Sequence, residues 1–123
     1  MNNILISIID DDELVREAVH DLIRSLGYDA KAFASAEDYL QSDSLGTSSC
    51  LVTDLQMPGM SGAELQDRLI AKGDPTPIIF MTAYFDEKVC NRVLKAGGRG
   101  FFKKPLDQTA FVQCLEQALR TAA

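Results

Sequence analysis

Along the chain, a short apolar run gives way five times to a longer stretch whose apolar residues recur every three or four positions. The first run, residues 4–9 (ILISII), is β-branched and almost wholly apolar, the pattern of a strand buried on both faces of a parallel sheet. After it, Leu14, Val15, Ala18, Val19, Leu22, Ile23 and Leu26 share one face of a helix. Asp12 is placed to cap that helix and Gly27 to stop it. Residues 28–34 (YDAKAFA) alternate and predict a half-exposed second strand. Ser35 opens a short helix running to about Asp43, with Glu37 and Asp38 in its first turn. After a loop over residues 44–49, residues 50–53 predict a third strand that ends at Asp54.

A turn punctuated by Pro58, Gly59 and Gly62 follows, and residues 64–72 predict a helix. The breaker cluster at residues 73–77 precedes a fourth buried strand, 78–81, ending at Thr82. Residues 86–95 predict a helix, closed by Ala96, Gly97 and Gly98. Residues 100–103 form the fifth strand, ending at Lys104 and Pro105. Asp107 caps a last helix whose apolar face is Phe111, Val112, Leu115, Ala118 and Leu119.

Strand and helix repeated five times with short connections predict an α/β fold. It is a doubly wound, five-stranded parallel sheet with helices on both faces, (βα)5. With no internal repeat or low-complexity segment, residues 1–123 read as a single domain. Open sheets of this kind hold ligands outside the carboxyl ends of their strands. The residues expected there are Asp10 and Asp11, Asp54, Thr82 and Lys104; the second strand adds nothing obvious.

Composition narrows the classes. Apolar residues make up 46% of 123, enough for a real core. A net charge of -6, without any block of Lys and Arg, argues against a nucleic-acid footprint. Three cysteines, Cys50, Cys90 and Cys114, without a CxxC, indicate neither a disulfide framework nor a zinc site but buried free thiols in a reducing compartment. No run has the length of a membrane span, and the first apolar segment lacks a basic flank and ends in acids, unlike a signal peptide. The expectation is a soluble cytoplasmic protein. His20 falls on the polar side of the first helix and reads as an exposed structural residue.

Three carboxylates, a hydroxyl and an ammonium at one sheet edge suggest a chemistry. Close carboxylates repel unless a cation intervenes. Oxygen ligands without His or Cys favour a hard dication such as Mg2+, which takes one or two carboxylates, waters and phosphate oxygens. A carboxylate can act as nucleophile and form an aspartyl phosphate, with metal and lysine neutralising the phosphoryl oxygens.

The blocks IIDDDE, VTDLQMPGMSG, IIFMTA and FFKKPL, in this order at the strand ends, resemble the receiver domain of bacterial two-component response regulators. The resemblance covers essentially the whole chain and implies a flavodoxin-like fold. It implies that Asp54 is the phosphoacceptor, that Asp10 and Asp11 are the acidic pair, with Asp11 the more direct Mg2+ ligand, and that Gln56 offers its backbone carbonyl to the metal. It further implies that Thr82 is the switch hydroxyl, Lys104 its partner at the phosphoryl group, Phe101 the switch aromatic and Pro105 a candidate cis proline. Asp12 is then left as a helix cap, and Lys103 lies on the opposite strand face from Lys104. Phe101 lacks the hydroxyl of the frequent tyrosine, and Tyr84 is bulky at a position that affects phosphoryl lifetime.

The implied function is a phosphorylation-controlled switch that takes its phosphoryl group from a sensor histidine kinase or phosphotransfer protein. Its output face, where it meets a second copy or an effector, is roughly residues 86–120. It catalyses only its own phosphorylation and dephosphorylation, and touches neither nucleic acid nor membrane. Two rivals stand beside it. A magnesium-dependent phosphatase of the haloacid-dehalogenase type would want an acid two residues after the nucleophile, where Gln56 stands. A phosphorylation-independent docking module would leave a complete acid, threonine and lysine set idle.

Overall fold

Strand and helix alternate throughout residues 4–121, which a computed structural model of the chain describes. The strands are β1 (Leu5–Ile9), β2 (Asp29–Phe33), β3 (Cys50–Asp54), β4 (Ile78–Thr82) and β5 (Gly100–Lys103). The helices are α1 (Glu13–Ser25), α2 (Ala36–Leu40), α3 (Gly62–Ala71), α4 (Glu87–Lys95) and α5 (Gln108–Thr121). The strands form one parallel sheet in the order β2-β1-β3-β4-β5, with Ile8 opposite Val52 and Val52 opposite Ile79. The chain steps outward from β1 to β2, then returns to the other side of β1 for β3. That reversal leaves a crevice between the carboxyl ends of β1 and β3.

The alternation of side chains along each strand sorts the core into two layers. Ile6, Ile8, Val52, Ile79 and Met81 pack against Val19 and Ile23 of α1 and Phe111, Leu115 and Ala118 of α5. Ile9, Leu51, Ile78 and Phe80 face the other way, onto Tyr39 of α2, Leu65 and Leu69 of α3 and Val93 of α4. Strands β3 and β4 are covered on both faces and buried at every residue, which explains their unbroken apolar runs. The edge strands β2 and β5 stay partly exposed; in β2 the exposed residues are the neighbours Lys31 and Ala32, so its burial does not follow the expected alternation.

Two helices depart from their expected bounds. Helix α2 stops at Leu40 instead of near Asp43, because the Ser42 hydroxyl donates to the Tyr39 carbonyl at 2.7 Å and turns the chain. Helix α3 starts at Gly62, ahead of Glu64, because Ser61 and Glu64 close a capping box: each backbone N–H donates to the other's side-chain oxygen at 3.1 Å. Glycine is needed at 62, since a Cβ there would lie 2.5 Å from the Asp54 carbonyl oxygen. Replacing Ser61 by Ala should lower the unfolding free energy by about 1 kcal/mol, read as a lower urea midpoint at unchanged m.

Of the three cysteines, only Cys50 is fully buried, and burial pushes its thiol up to about 12. Cys90 and Cys114 are half-buried, because each sits on a helix flank and not in a central strand. Among the described residues, no helix is long and apolar enough to cross a membrane.

Candidate functional site

Because β1 ends at Ile9, the next residues leave the sheet at the crevice. Asp10 is wholly buried there, whereas Asp11 is exposed. The Asp10 carboxylate accepts the Asp12 N–H at Oδ1 (2.8 Å), and its Oδ2 lies 2.6 Å from Lys104 Nζ. Asp12 caps α1, accepting from the N–H groups of Leu14 and Val15. Asp54 is the last residue of β3 and 4% exposed. Its Oδ1 accepts the Gln56 N–H at 3.3 Å, and its Oδ2 lies 3.2 Å from Lys104 Nζ. One carboxylate oxygen from each of Asp10, Asp11 and Asp54 lies within 4.8 Å of the others.

Burial, and then the charge of Asp10, raise the Asp54 carboxyl above the usual range, against the opposing pull of Lys104. Burial works against the Lys104 ammonium, but its contacts with Asp10 and Asp54 outweigh that and hold it above an ordinary lysine. Three carboxylates and one ammonium leave two negative charges uncompensated. An oxygen-only donor set short of two positive charges fits a hard dication.

Thr82 is buried at the end of β4, but its hydroxyl is engaged with the backbone of one residue: it donates to the Tyr84 carbonyl at 2.9 Å and accepts the Tyr84 N–H at 3.1 Å. The Lys104 N–H donates to the Thr82 carbonyl at 2.8 Å, which ties the ends of β4 and β5. Beyond Thr82, Tyr84 and Phe85 are exposed, and Phe85 meets the edge of partly buried Phe101 with ring centroids 5.9 Å apart. Lys103 is exposed, and the Lys104–Pro105 peptide is cis. His20 lies 3.7 Å from Asp21 on α1 and is no part of the cluster.

Two residues around the crevice carried no site expectation. Arg16 reaches back from α1 and donates to the Asp10 carbonyl at 2.7 Å. A basic residue within one turn of the end of an acid run was a visible signal. Glu37, expected only as an acid in the first turn of α2, accepts the Met60 N–H at 3.1 Å across 23 residues of chain. No local pattern announces that contact.

This sheet, with a buried acid and lysine cluster at its switch point, defines a regulatory α/β domain of the flavodoxin-like class. The family model of the response regulator receiver domain matches residues 6–116. The chain belongs to that family, whose members are phosphorylation-dependent switches of two-component signalling. It is 36% identical over 118 residues to the response regulator protein TmoT of Ectopseudomonas mendocina, spanning 96% of this chain and 54% of TmoT. It is 32% identical over 117 residues to the transcriptional regulatory protein FixJ of Bradyrhizobium diazoefficiens, spanning 95% of this chain and 57% of FixJ. The chain thus spans about half the length of the curated relatives it matches. The crystal structure of FixJ-N superposes with a TM-score of 0.86 at 32% identity, over 98% of this chain and 97% of that one. The response regulator StyR does so at 0.89 and 38% identity, over 97% and 60%.

Proposed function

We propose that Asp54 accepts a phosphoryl group from a sensor histidine kinase or phosphotransfer protein. The observation that carries this reading is the buried Asp54 carboxylate, 3.2 Å from the Lys104 ammonium and grouped with Asp10 and Asp11. A carboxylate oxygen of Asp54 attacks phosphorus, the bond from phosphorus to the donor's imidazole nitrogen breaks, and the imidazole leaves with the electron pair. Lys104, already shared between Asp10 and Asp54, turns to the new phosphoryl oxygens. Asp10, Asp11, Asp54 and the Gln56 carbonyl would hold Mg2+, which when bound supplies positive charge against the phosphoryl oxygens.

Thr82 serves as the switch on this reading. To reach a phosphoryl oxygen its hydroxyl gives up both Tyr84 contacts, which frees the chain leading to Phe85 and its packing on Phe101. The change is passed to residues 86–120, the face for a second copy or an effector. The chain acts on no substrate besides its own phosphoryl group. The net charge of -6 supports no nucleic-acid contact by these residues, so any DNA-binding output would lie outside this chain. The cytoplasm is the compartment in which such a kinase would reach it.

Intact mass spectrometry after incubation with acetyl phosphate, with and without magnesium, tests the reading. A single phosphoryl adduct that requires magnesium is expected. No adduct from acetyl phosphate or from a phosphorylated histidine kinase would favour a docking module instead. Asp11→Asn should weaken magnesium binding by about tenfold or more. An unchanged titration would remove Asp11 from the ligand set.

A further inference from the structure

The connection from β3 to α3, residues 55–61, borders the acid cluster through Gln56, whose N–H donates to Asp54. Its two ends are tied locally, by that bond and by the Gly62 N–H donating to the Leu55 carbonyl at 2.9 Å. Its tip is held from a different element. Glu37 of α2 accepts the Met60 N–H at Oε2, 3.1 Å away. Next to it, Gly59 sits at φ 78°, and a Cβ there would come 2.5 Å from the same oxygen. Glycine at 59 therefore serves both the left-handed backbone and the seat of the carboxylate.

Packing backs the contact. Met57 and Met60 pack partly buried against the cluster that holds Ala36 and Tyr39 of α2. Among the described residues no Lys or Arg pairs with Glu37, so the Met60 amide is its charge-assisted partner.

We propose that Glu37 is a positioning residue of the phosphoacceptor site: its grip on the Met60 amide sets the course of the loop that leaves Asp54 and carries the Gln56 carbonyl. The inference rests on the assignment of Asp54 and Gln56 above. A loop ordered in advance adds no ordering cost when the metal binds, so losing the grip weakens magnesium affinity. It does so without touching a ligand.

Amide spectra of the 15N-labelled protein supply both readouts. Magnesium titrations give affinity, and hydrogen exchange in metal-free buffer gives protection of the Met60 amide. Glu37→Ala is expected to weaken magnesium binding severalfold and to speed Met60 exchange. Glu37→Gln keeps an acceptor oxygen but loses the charge assistance, and should fall between wild type and Glu37→Ala in both. Wild-type magnesium affinity in Glu37→Ala would overturn the proposal and leave the contact merely structural. Equal weakening in both variants would also overturn it, because the carboxylate would then act through its charge and not its hydrogen bond. Wild-type protein that binds no magnesium would instead overturn the site assignment itself, and this inference with it.

Discussion

Asp54→Asn protein incubated with acetyl phosphate and magnesium gains no phosphoryl mass, whereas the wild type gains one group. The amide keeps the shape of the side chain but not the nucleophilic oxygen, so the loss should be complete. The same substitution should stabilise the fold in metal-free buffer. Burial and the charge of Asp10 raise the Asp54 carboxyl, so the folded state holds that proton more tightly than the unfolded chain. Stability from this group is full below the ordinary carboxylate pKa of about 3.9 and is lost as pH rises through the raised folded value. Asparagine does not ionise and is spared that loss. At pH 7 the variant should be the more stable of the two, with the gap closing as pH falls. Urea unfolding at two pH values checks the sign. A less stable variant at neutral pH would mean that attraction to Lys104 outweighs burial. Magnesium should narrow the gap, because on the proposed assignment it would bind the folded wild type with its full carboxylate set.

Lys104→Met should cost more than any other substitution at the site. Asp10 is wholly buried and the Lys104 side chain is 14% exposed, so the ammonium cannot be replaced by bulk water. Methionine keeps most of the apolar stem and removes the charge, which leaves Asp10 and Asp54 facing each other unpaired. Breaking a buried pair in this way costs about 3–5 kcal/mol. Without the ammonium the folded Asp54 carboxyl loses the pull that opposes its rise, so the deficit should be large at pH 7 and shrink as pH falls, and magnesium should restore part of it. A loss of equal size at neutral and at lower pH would assign the effect to packing. Phosphorylation should also slow, since one counter-charge to the phosphoryl oxygens is gone.

Much of this molecule was determined by the sequence alone. The continuous apolar runs of β3 and β4 identify strands covered on both faces, and the mixed polar and apolar residues of β2 identify a half-exposed strand. Element ends then select the site: because β1 stops at Ile9 and β3 at Asp54, the acids fall at the crevice. These features depend on neighbours a few residues apart, where period and capping act directly.

Which groups meet depends on how the elements pack. Lys104, following the edge strand β5, reaches past β4 to both Asp10 and Asp54, and that span depends on the strand order. The Thr82 hydroxyl is taken up by the Tyr84 backbone, a choice of rotamer that its position at a strand end leaves open. Arg16 and Glu37 grip backbone in loops that their own helices do not contain, so their partners depend on how α1 and α2 pack. Pattern determines which residues lie at an edge. Packing across the sheet determines the distances between them, because each element is placed by apolar contacts that these polar residues do not make.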